Sequence, residues 1–460
     1  MNWSIYQVQQ KSPIDSRLIQ LLKYVDSFIY STTGYENIIG GDIYDFSENG
    51  LFKFILEKFK NCDDKFIEIR FVHQKLNVIY DADMARMILE DKSVIRGNMY
   101  NRLTEFFGSG IFTSKRVELW RHQRNSILQL FMRSNLEPLL PKLIDSMFVE
   151  FDKIISEDNE IDLVSTLSII GIVGFCEVFF GVDIRDFSRE LIEPLNDLLT
   201  YINGAVEPFV MPFDKKHDDF IKMRNVVHHY LDEIITRAMA SENCHPIIRN
   251  ELTSTTMSHK EVIEFVLSIV LGGHETTARM LLGAIYSICQ DSNIINRLNS
   301  ETTTYMESHD NYHVDIIDLP YLKNVISEST RLFPPVWLIG RKCQDNINIM
   351  DIHFDKDSQF LISPLIYLRD KRIWGSDSEI FNPDRHDNLN QHQQDNMIPF
   401  IVGSMKCPGK MFALLETSCV ISRLFKNYEL EILQQDIYPF SAGTFRLTNK
   451  LLVRVKSLVN

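Results

Sequence analysis

The cysteine at position 407 lies in a setting that favours thiolate chemistry. Its loop, residues 399–410, precedes a stretch, residues 411–424, whose apolar side chains have the spacing of one buried helix face. Pro408 suits the first helical position, so the spacing predicts Cys407 at or next to the helix N-cap. Free N–H groups and the positive end of the helix dipole stabilise a thiolate relative to a thiol at that place.

Three kinds of chemistry could use such a thiolate. A zinc site is disfavoured, because the next cysteine is Cys419 and no histidine lies closer than His392. A cysteine nucleophile needs a base, which spacing alone does not exclude. The third possibility is a single thiolate ligand to haem iron, and Gly403 and Gly409 would let the loop approach something flat and bulky. A buried structural cysteine at a helix start is the alternative to all three.

A second candidate centre lies in the middle of a long apolar helix, predicted over residues 258–289 and opened by a capping-box pattern. Gly272 and Gly273 each cost this helix about 1 kcal/mol relative to alanine, so an offsetting use is expected. Small residues followed by Glu275 and Thr276 suit a groove where a ligand presses on the helix and protons must arrive. The alternative is helix packing through the glycines, with the threonine hydroxyl bonded to a carbonyl one turn back.

Two further pairs have helical spacing and could hold a ligand or brace the fold. Trp120 and Arg124 lie four residues apart on one helix face, although a surface arginine beside a half-buried tryptophan gives the same pattern. Glu328 and Arg331 lie three residues apart on a helix that Pro334-Pro335 ends. The acid–base pair alone is a weak signal, and its context carries the interpretation.

The composition is that of an ordinary globular protein, with 460 residues of which 45% are hydrophobic and 24% charged. No Pro/Gly/Ser-rich linker divides the chain, so we expect a single domain over residues 1–460. The net charge of −14 argues against nucleic acid as a partner. Seven cysteines without paired spacing indicate a reducing compartment. Residues 1–16 lack an apolar signal segment, so we expect no membrane anchor and a soluble, cytoplasmic protein.

Periodicity predicts a mainly α-helical chain with a small β-sheet region. Partial alternation over residues 66–80 predicts two short strands, and residues 82–90 favour a helix. The most apolar stretch, residues 164–182, includes polar side chains and predicts a buried helix rather than a membrane span. Residues 388–396 are expected to form an exposed loop, and residues 445–455 a terminal hairpin.

These motifs together resemble the cytochrome P-450 superfamily. The cysteine loop resembles its haem-binding loop, with Ala413 following and four matched positions within ten residues: Phe400, Gly403, Cys407 and Gly409. One departure is Met405, which stands where the superfamily usually has an arginine or histidine that reaches a haem propionate. Lys406 beside it could compensate. The resemblance implies that Cys407 is the axial iron ligand of haem b (iron protoporphyrin IX), with the matched residues of the loop around the cofactor.

The other motifs follow in the order that the superfamily has. Residues 272–277 resemble its oxygen-activation sequence, which implies that Glu275 and Thr276 are catalytic and position water for proton delivery. The resemblance further implies propionate ligands at Trp120, Arg124 and Arg341. It also implies a buried structural charge network of Glu328, Arg331 and Arg385, in which His386 replaces the usual phenylalanine.

The fold implied is the mainly α-helical cytochrome P-450 fold, with a single haem between the long central helix and the cysteine loop. The reaction implied is monooxygenation, in which one atom of O2 enters a small apolar organic substrate. Electrons would come from a separate ferredoxin or flavodoxin with its reductase. Pocket residues suggested by the resemblance and by apolar character are Phe106, Phe107, Gly272, Val336 and Leu338.

Two alternatives use the same cofactor. A haem-thiolate peroxygenase or isomerase needs no external electrons, and the intact pair of Glu275 and Thr276 argues against it. A non-catalytic haem-binding sensor would not need that pair. Loss of NAD(P)H-driven turnover with retained gas binding would favour the sensor.

Overall fold

Helices form most of the structure, a computed structural model that describes residues 52–58, 64–71, 74–206, 215–434 and 437–458 together with residues 20 and 23. Residues 52–58 are helical, and the segment predicted to lack a membrane anchor, residues 1–16, lies outside the described residues. The helices that follow are α1 Ala82–Glu90, α2 Met99–Phe107, α3 Val117–Leu130, α4 Arg133–Leu136, α5 Leu140–Glu157, α6 Leu163–Phe175, α7 Ser188–Val206, α8 Lys215–Ala240, α9 Pro246–Leu252, α10 His259–Ile288, α11 Ser292–Glu307, α12 Pro320–Leu332, α13 Pro364–Tyr367, α14 Lys371–Trp374, α15 Gln391–Asn396 and α16 Lys410–Asn427.

The strands are short and form small sheets. They are β1 Phe66–Phe71, β2 Gln74–Ile79, β3 Val94–Arg96, β4 Glu160–Asp162, β5 Ile339–Cys343, β6 Ile347–Ile349, β7 Ile352–Phe354, β8 Gln359–Ile362, β9 Tyr428–Ile432, β10 Phe440–Ala442, β11 Thr444–Arg446 and β12 Leu452–Ser457. The largest sheet has the order β1-β2-β8-β5-β3, in which only β2 and β8 run parallel. The predicted strands over residues 66–80 and the predicted helix over residues 82–90 are therefore confirmed.

The long helix α10 lies at the centre of the fold and confirms the prediction for residues 258–289. Its N-cap is Ser258, whose side chain accepts from the backbone N–H of Glu261, while the Glu261 side chain accepts from the backbone N–H of Ser258. The helix has 30 residues and so spans about 45 Å. It packs against α6, α8, α12 and α16, which explains why its sequence is apolar on most of its circumference.

Helix α6 is apolar enough to cross a membrane but belongs to the core. The window Leu163–Phe180 has a mean hydropathy of 2.1, and 89% of it is buried inside the fold. The helix continues through a π-helical turn, Cys176–Phe180, and packs against α5 and α10. The prediction of a buried helix over residues 164–182 is confirmed.

Two local predictions are wrong. Residues 388–396, expected to form an exposed loop, contain helix α15. Asn390 and Gln393 cap this helix reciprocally, and Asn396 is buried. The expected hairpin over residues 445–455 does not form either. Strand β11 pairs with β10, whereas β12 pairs with β4 and β9.

Candidate functional site

The cysteine loop lies directly before α16 and is closed by its own backbone. The backbone N–H of Cys407 donates to the carbonyl oxygen of Phe400 at 2.9 Å. Helix α16 begins at Lys410 with Gly409 as its N-cap, so the prediction of Pro408 at the first helical position is wrong by two residues. Cys407 therefore precedes the N-cap and stays partly accessible, on the side where the helix exposes its free N–H groups.

The surroundings of the Cys407 sulfur favour the thiol, whereas the sequence predicted a setting that favours the thiolate. Burial raises the pKa of the Cys407 thiol, while the backbone N–H groups of Gly409 and Lys410 and the positive charges of Arg124 and Lys410 oppose that rise without cancelling it. The helix terminus alone is thus too weak to hold a thiolate here. A thiolate at Cys407 needs a further positive charge against the sulfur, such as a metal ion.

The glycines of the loop serve different purposes. Gly403 has φ +78, and a Cβ atom there would lie 2.1 Å from the carbonyl oxygen of Leu89, so only glycine fits against α1. At position 409 a Cβ atom would meet only Phe131 at an ordinary contact distance of 3.6 Å. Ile401 also has a positive φ of 64, which a β-branched residue rarely adopts. The packing on α1 therefore fixes the loop at Gly403.

Three arginines converge beside the loop, on α3, β3 and β5. Arg96 lies directly opposite Arg341 in the antiparallel β3–β5 pair, an arrangement that is unfavourable for like charges. The guanidiniums of Arg96 and Arg124 both lie against the ring of Trp120, at 5.4 and 5.5 Å from its centroid. Arg124 also donates to the carbonyl oxygen of Lys406 at 2.8 Å, which ties α3 to the cysteine loop.

This arginine cluster (Arg96, Arg124 and Arg341) fits an anionic ligand. Burial is the main cause that lowers the pKa of Arg96 to about 10; Tyr100 opposes it more strongly than either Arg341 or Arg124 reinforces it. Among the described residues, none of the three arginines forms an ion pair with a carboxylate, and Trp120 Nε1 is buried without a hydrogen-bond partner. Three cations and an unpaired indole N–H suit a ligand with two carboxylates, which is what the propionates of haem provide.

Gly272 and Gly273 lie on different faces of α10 and have different neighbours. A Cβ atom at Gly272 would lie 3.1 Å from Phe112 Cζ, whereas one at Gly273 would lie 2.6 Å from Phe175 Cε2. Gly273 therefore serves helix packing against α6, and Gly272 faces the loop that carries Phe112. The Thr276 hydroxyl donates to the carbonyl oxygen of Gly272 at 2.8 Å, so its lone pairs stay available to an external donor.

Glu275, the acid next to Thr276, is tied into a buried ion cluster. Its carboxylate accepts from Arg279 at 2.9 and 3.0 Å, from Arg446 at 3.2 Å and from the Thr444 hydroxyl at 3.0 Å. Burial alone would raise the pKa of Glu275, but the charges of Arg279 and Arg446 lower it to about 2. The side chain is thus an ionised acceptor with its oxygens occupied, and does not stand as a free acid in the groove.

Glu328 lies at the centre of a second buried ion cluster, between α12 and residues 382–386. Arg331 donates to both of its oxygens at 2.8 Å, Arg385 approaches at 3.3 Å, and His386 Nε2 lies 2.9 Å from Oε2. Burial would raise the pKa of Glu328, but the hydrogen bonds of Arg331 and His386 and their charges lower it to about 2. His386 thus replaces an apolar ring with a polar partner of the carboxylate.

The residues predicted to line a pocket separate into two groups. The rings of Phe106 and Phe107 lie 4.6 Å apart, and Phe107 lies 5.0 Å from Phe112, which in turn covers Gly272. Val336, by contrast, is 36% exposed, and the structure does not bring it to this aromatic group. Leu338 is buried and lines a groove of about 660 Å³ that none of the three phenylalanines lines.

Sequence reasoning missed Arg96 and Phe112. Arg96 belongs to no local motif, and the only available signal was its place at the end of a short strand that had not been identified. Phe112 lies two residues after the Gly108-Ser109-Gly110 turn, and its contact with Gly272 is long-range. Ala413, which only the resemblance suggested, lies on the buried face of α16.

A mainly helical fold in which a cysteine loop lies beside an arginine cluster is typical of a haem-thiolate protein. The sequence matches the Cytochrome P450 family over residues 37–454, and the chain belongs to that family. It is 47% identical, over 100% of its length and 98% of the relative's, to the cytochrome P450-like protein L532 of Acanthamoeba polyphaga mimivirus.

More distant similarities point the same way. The chain is 22% identical to probable cytochrome P450 4ac2 of Drosophila melanogaster, over 90% of this chain and 87% of that protein. It is 23% identical to the bifunctional cytochrome P450/NADPH--P450 reductase 2 of Bacillus subtilis (strain 168), over 74% of this chain but only 34% of that protein. Family membership implies an oxidoreductase of the monooxygenase class that uses haem, O2 and an organic substrate.

Proposed function

We propose that the protein is a haem-thiolate monooxygenase that inserts one atom of O2 into an apolar organic substrate, with electrons from a separate redox protein. The observation that carries this proposal is the arginine cluster beside the cysteine loop. Three guanidiniums without a carboxylate ion pair in the described part of the chain, and an orphaned indole N–H, match a dianionic cofactor next to a thiol.

The residues that would hold haem b are Cys407 for the iron and the cluster of Arg96, Arg124, Arg341 and Trp120 for the propionates. Bound through a thiolate, haem supplies the activation of O2 for transfer to carbon. Cys407 would be held as a thiolate by the positive charge of an iron bound there, because burial otherwise favours the thiol.

Proton handling in the groove is assigned to the Thr276 hydroxyl and to water. The hydroxyl proton is engaged by the Gly272 carbonyl, so Thr276 Oγ1 presents lone pairs that can orient a water molecule or accept from a bound ligand. Glu275 has a pKa of about 2 and remains ionised at neutral pH, so it cannot release a proton there. Its role in this proposal is to fix the helix next to Thr276.

The substrate is proposed to be apolar because aromatic rings cover the groove. Phe106, Phe107 and Phe112 form a continuous aromatic contact that leads to Gly272. Such rings exclude water from the groove and offer dispersion contacts to any apolar molecule of suitable size. They do not distinguish among lipid, terpenoid and aromatic substrates.

The electron donor is proposed to be an acidic ferredoxin or flavodoxin, with its own reductase. Lys406 and Lys410 in the cysteine loop and at the start of α16 are exposed, and the half-buried Arg124 donates to the Lys406 carbonyl oxygen; the exposed Arg121 lies one turn before Arg124 on α3. This basic group lies on a chain with a net charge of −14. A local basic surface on an acidic protein steers an acidic partner towards the cysteine loop.

The haem assignment is tested with carbon monoxide. We expect the reduced protein to show the red-shifted Soret band of thiolate-bound haem, and Cys407→Ala to lose it. Cys419→Ala is a matched control, because Cys419 is a buried cysteine in α16, the helix that follows the cysteine loop, and the variant should keep the band. If the band survives in Cys407→Ala, the assignment is wrong.

The reaction is tested by reconstitution. A screen of apolar compounds for Soret shifts identifies ligands, and product is then measured with NAD(P)H, a ferredoxin or flavodoxin, and its reductase. Product that forms from hydrogen peroxide alone, and never from NAD(P)H with a redox partner, would favour the peroxygenase. Gas binding without product under any condition would favour the sensor.

A further inference from the structure

The ion cluster around Glu275 carries one positive charge too many. It contains a single carboxylate and two guanidiniums, Arg279 on the same helix and Arg446 on β11. The exposed fractions of the side chains are 2% for Glu275, 2% for Arg279 and 7% for Arg446, so solvent does not offset the excess. A buried, uncompensated charge is costly, and an arrangement of this kind is expected to bind a counter-ion.

Glu275 does not reach all of the donors of the two arginines. Its Oε1 already accepts from Arg279 Nε, from the Thr444 hydroxyl and from Arg446 Nη2, and its Oε2 accepts from Arg279 Nη2. Within the described part of the chain, Arg279 Nη1 and Arg446 Nε are buried and have no hydrogen-bond partner. Two nitrogen donors on neighbouring cations are therefore left without an acceptor.

Among the described residues, the other hydrogen-bond partners of the two arginines supply no second negative charge. Arg446 Nη2 donates to the amide oxygen of Asn196 on α7 at 3.0 Å, and Arg279 Nη2 approaches the Ser168 hydroxyl on α6 at 3.4 Å. Both partners are neutral. Burial, then the charge of Arg279, lowers the pKa of Arg446 to about 10 although Glu275 acts in the opposite direction, as expected for a cation that lacks full compensation.

We infer that Arg279 and Arg446 form a buried binding site for one monovalent anion, at the junction of α6, α7, α10 and β11. The ligand chemistry is that of a halide or a carboxylate group, because one charge completes the neutrality of the cluster and the two orphaned N–H groups can serve one small acceptor. The anion would link α10 to the hairpin β10–β11, since its two donors come from these elements. This inference does not depend on the reaction that the protein catalyses.

The first test is the thermal unfolding of the holoprotein when chloride replaces sulfate at constant ionic strength. Sulfate stabilises proteins generally, so this exchange alone lowers the midpoint, and a rise identifies specific binding. We expect a saturable rise of roughly 2–4 °C. Arg446→Gln should abolish it, and Arg423→Gln should keep it, because Arg423 pairs with Asp145 away from the cluster. No rise in the native protein, or an equal rise in Arg446→Gln, would overturn the inference.

A second measurement does not depend on the folding of a variant. Crystals of the native holoprotein grown with bromide should show an anomalous-scattering peak between Arg279 and Arg446, and a clear absence of bromide there would overturn the site. The source of the anion is decided by competition: formate and hexanoate are added against chloride, with methyl hexanoate as the uncharged control. Competition by hexanoate but not by its ester assigns the site to organic carboxylates, whereas competition by formate alone assigns it to small free ions.

Discussion

The buried cluster around Glu328 makes a quantitative prediction about stability. In Arg331→Met the Glu328 carboxylate loses two hydrogen bonds of 2.8 Å, and the carbonyl oxygens of Leu368 and Ser378 lose donors at 2.8 and 2.7 Å. The fall of the Glu328 pKa from 4.5 to about 2 corresponds to about 3 kcal/mol of preference for the charged form. Removing one partner of a buried pair typically costs about 3–5 kcal/mol, so we expect a loss of about 4 kcal/mol.

His386→Phe provides the contrast. This change restores an aromatic ring but removes a single bond of 2.9 Å to Glu328, while Arg331 and Arg385 remain. A hydrogen bond to a charged group contributes about 1.5–3 kcal/mol, and improved burial of the ring offsets part of it. We therefore expect a loss of about 1 kcal/mol.

The assay is urea unfolding of the holoproteins, followed by far-ultraviolet circular dichroism and by Soret absorbance, with midpoints compared at equal slope. The pH dependence gives a second readout. The folded pKa of Glu328 is depressed, so its contribution is present above pH 4.5 and is lost as the pH falls from 4.5 towards 2. In Arg331→Met the free energy of unfolding should depend less on pH between 4.5 and 2. A loss in His386→Phe as large as that in Arg331→Met, or an unchanged pH dependence in Arg331→Met, would refute the reasoning.

Three further predictions concern the proposed haem site. Thr276→Val should keep the fold but uncouple the reaction, with less product and more hydrogen peroxide per NAD(P)H, because the acceptor at Oγ1 is lost; unchanged coupling would remove Thr276 from proton handling. Arg96→Gln should release haem to apomyoglobin roughly 10- to 100-fold faster, as expected for a lost charged hydrogen bond, and the exposed Arg121→Gln should not; equal rates would exclude Arg96 from the cofactor site. Reduction by a ferredoxin should slow as salt is added, and a rate independent of salt would contradict the docking at Lys406 and Lys410.

Local signals in the sequence were sufficient to predict the main helices and strands. The capping box at Ser258 and the apolar run after it define α10, and strand alternation defines β1 and β2. Pairing between distant strands left no such signal: a hairpin was expected over residues 445–455, but β12 pairs with β4, which lies about 290 residues earlier. The N-terminus of α16 was misplaced because proline at a first helical position is only a preference.

The charged residues of the site were harder to predict for the same reason. The spacing places Glu275 and Arg279 on one helix face, but nothing local indicates that Arg446 arrives from β11 to share the carboxylate. Arg96 and Arg341 come together only because β3 and β5 pair in that register. Motif spacing therefore identified which residue types the chemistry requires, and long-range contacts decided their charge state and their partners.

Helix geometry explains how one motif can serve two purposes. Successive residues of an α-helix are rotated by about 100°, so Gly272 and Thr276 share a face, while Glu275 and Arg279 share the next. The first face meets Phe112, and the second is closed by Arg446. An acid held at a pKa of about 2 cannot donate a proton at neutral pH, however close it lies to the groove. Glu275 and Thr276 are thus neighbours in sequence but act in different environments. Glu275 connects α10 to the β10–β11 hairpin, and of the two residues only Thr276 faces the groove.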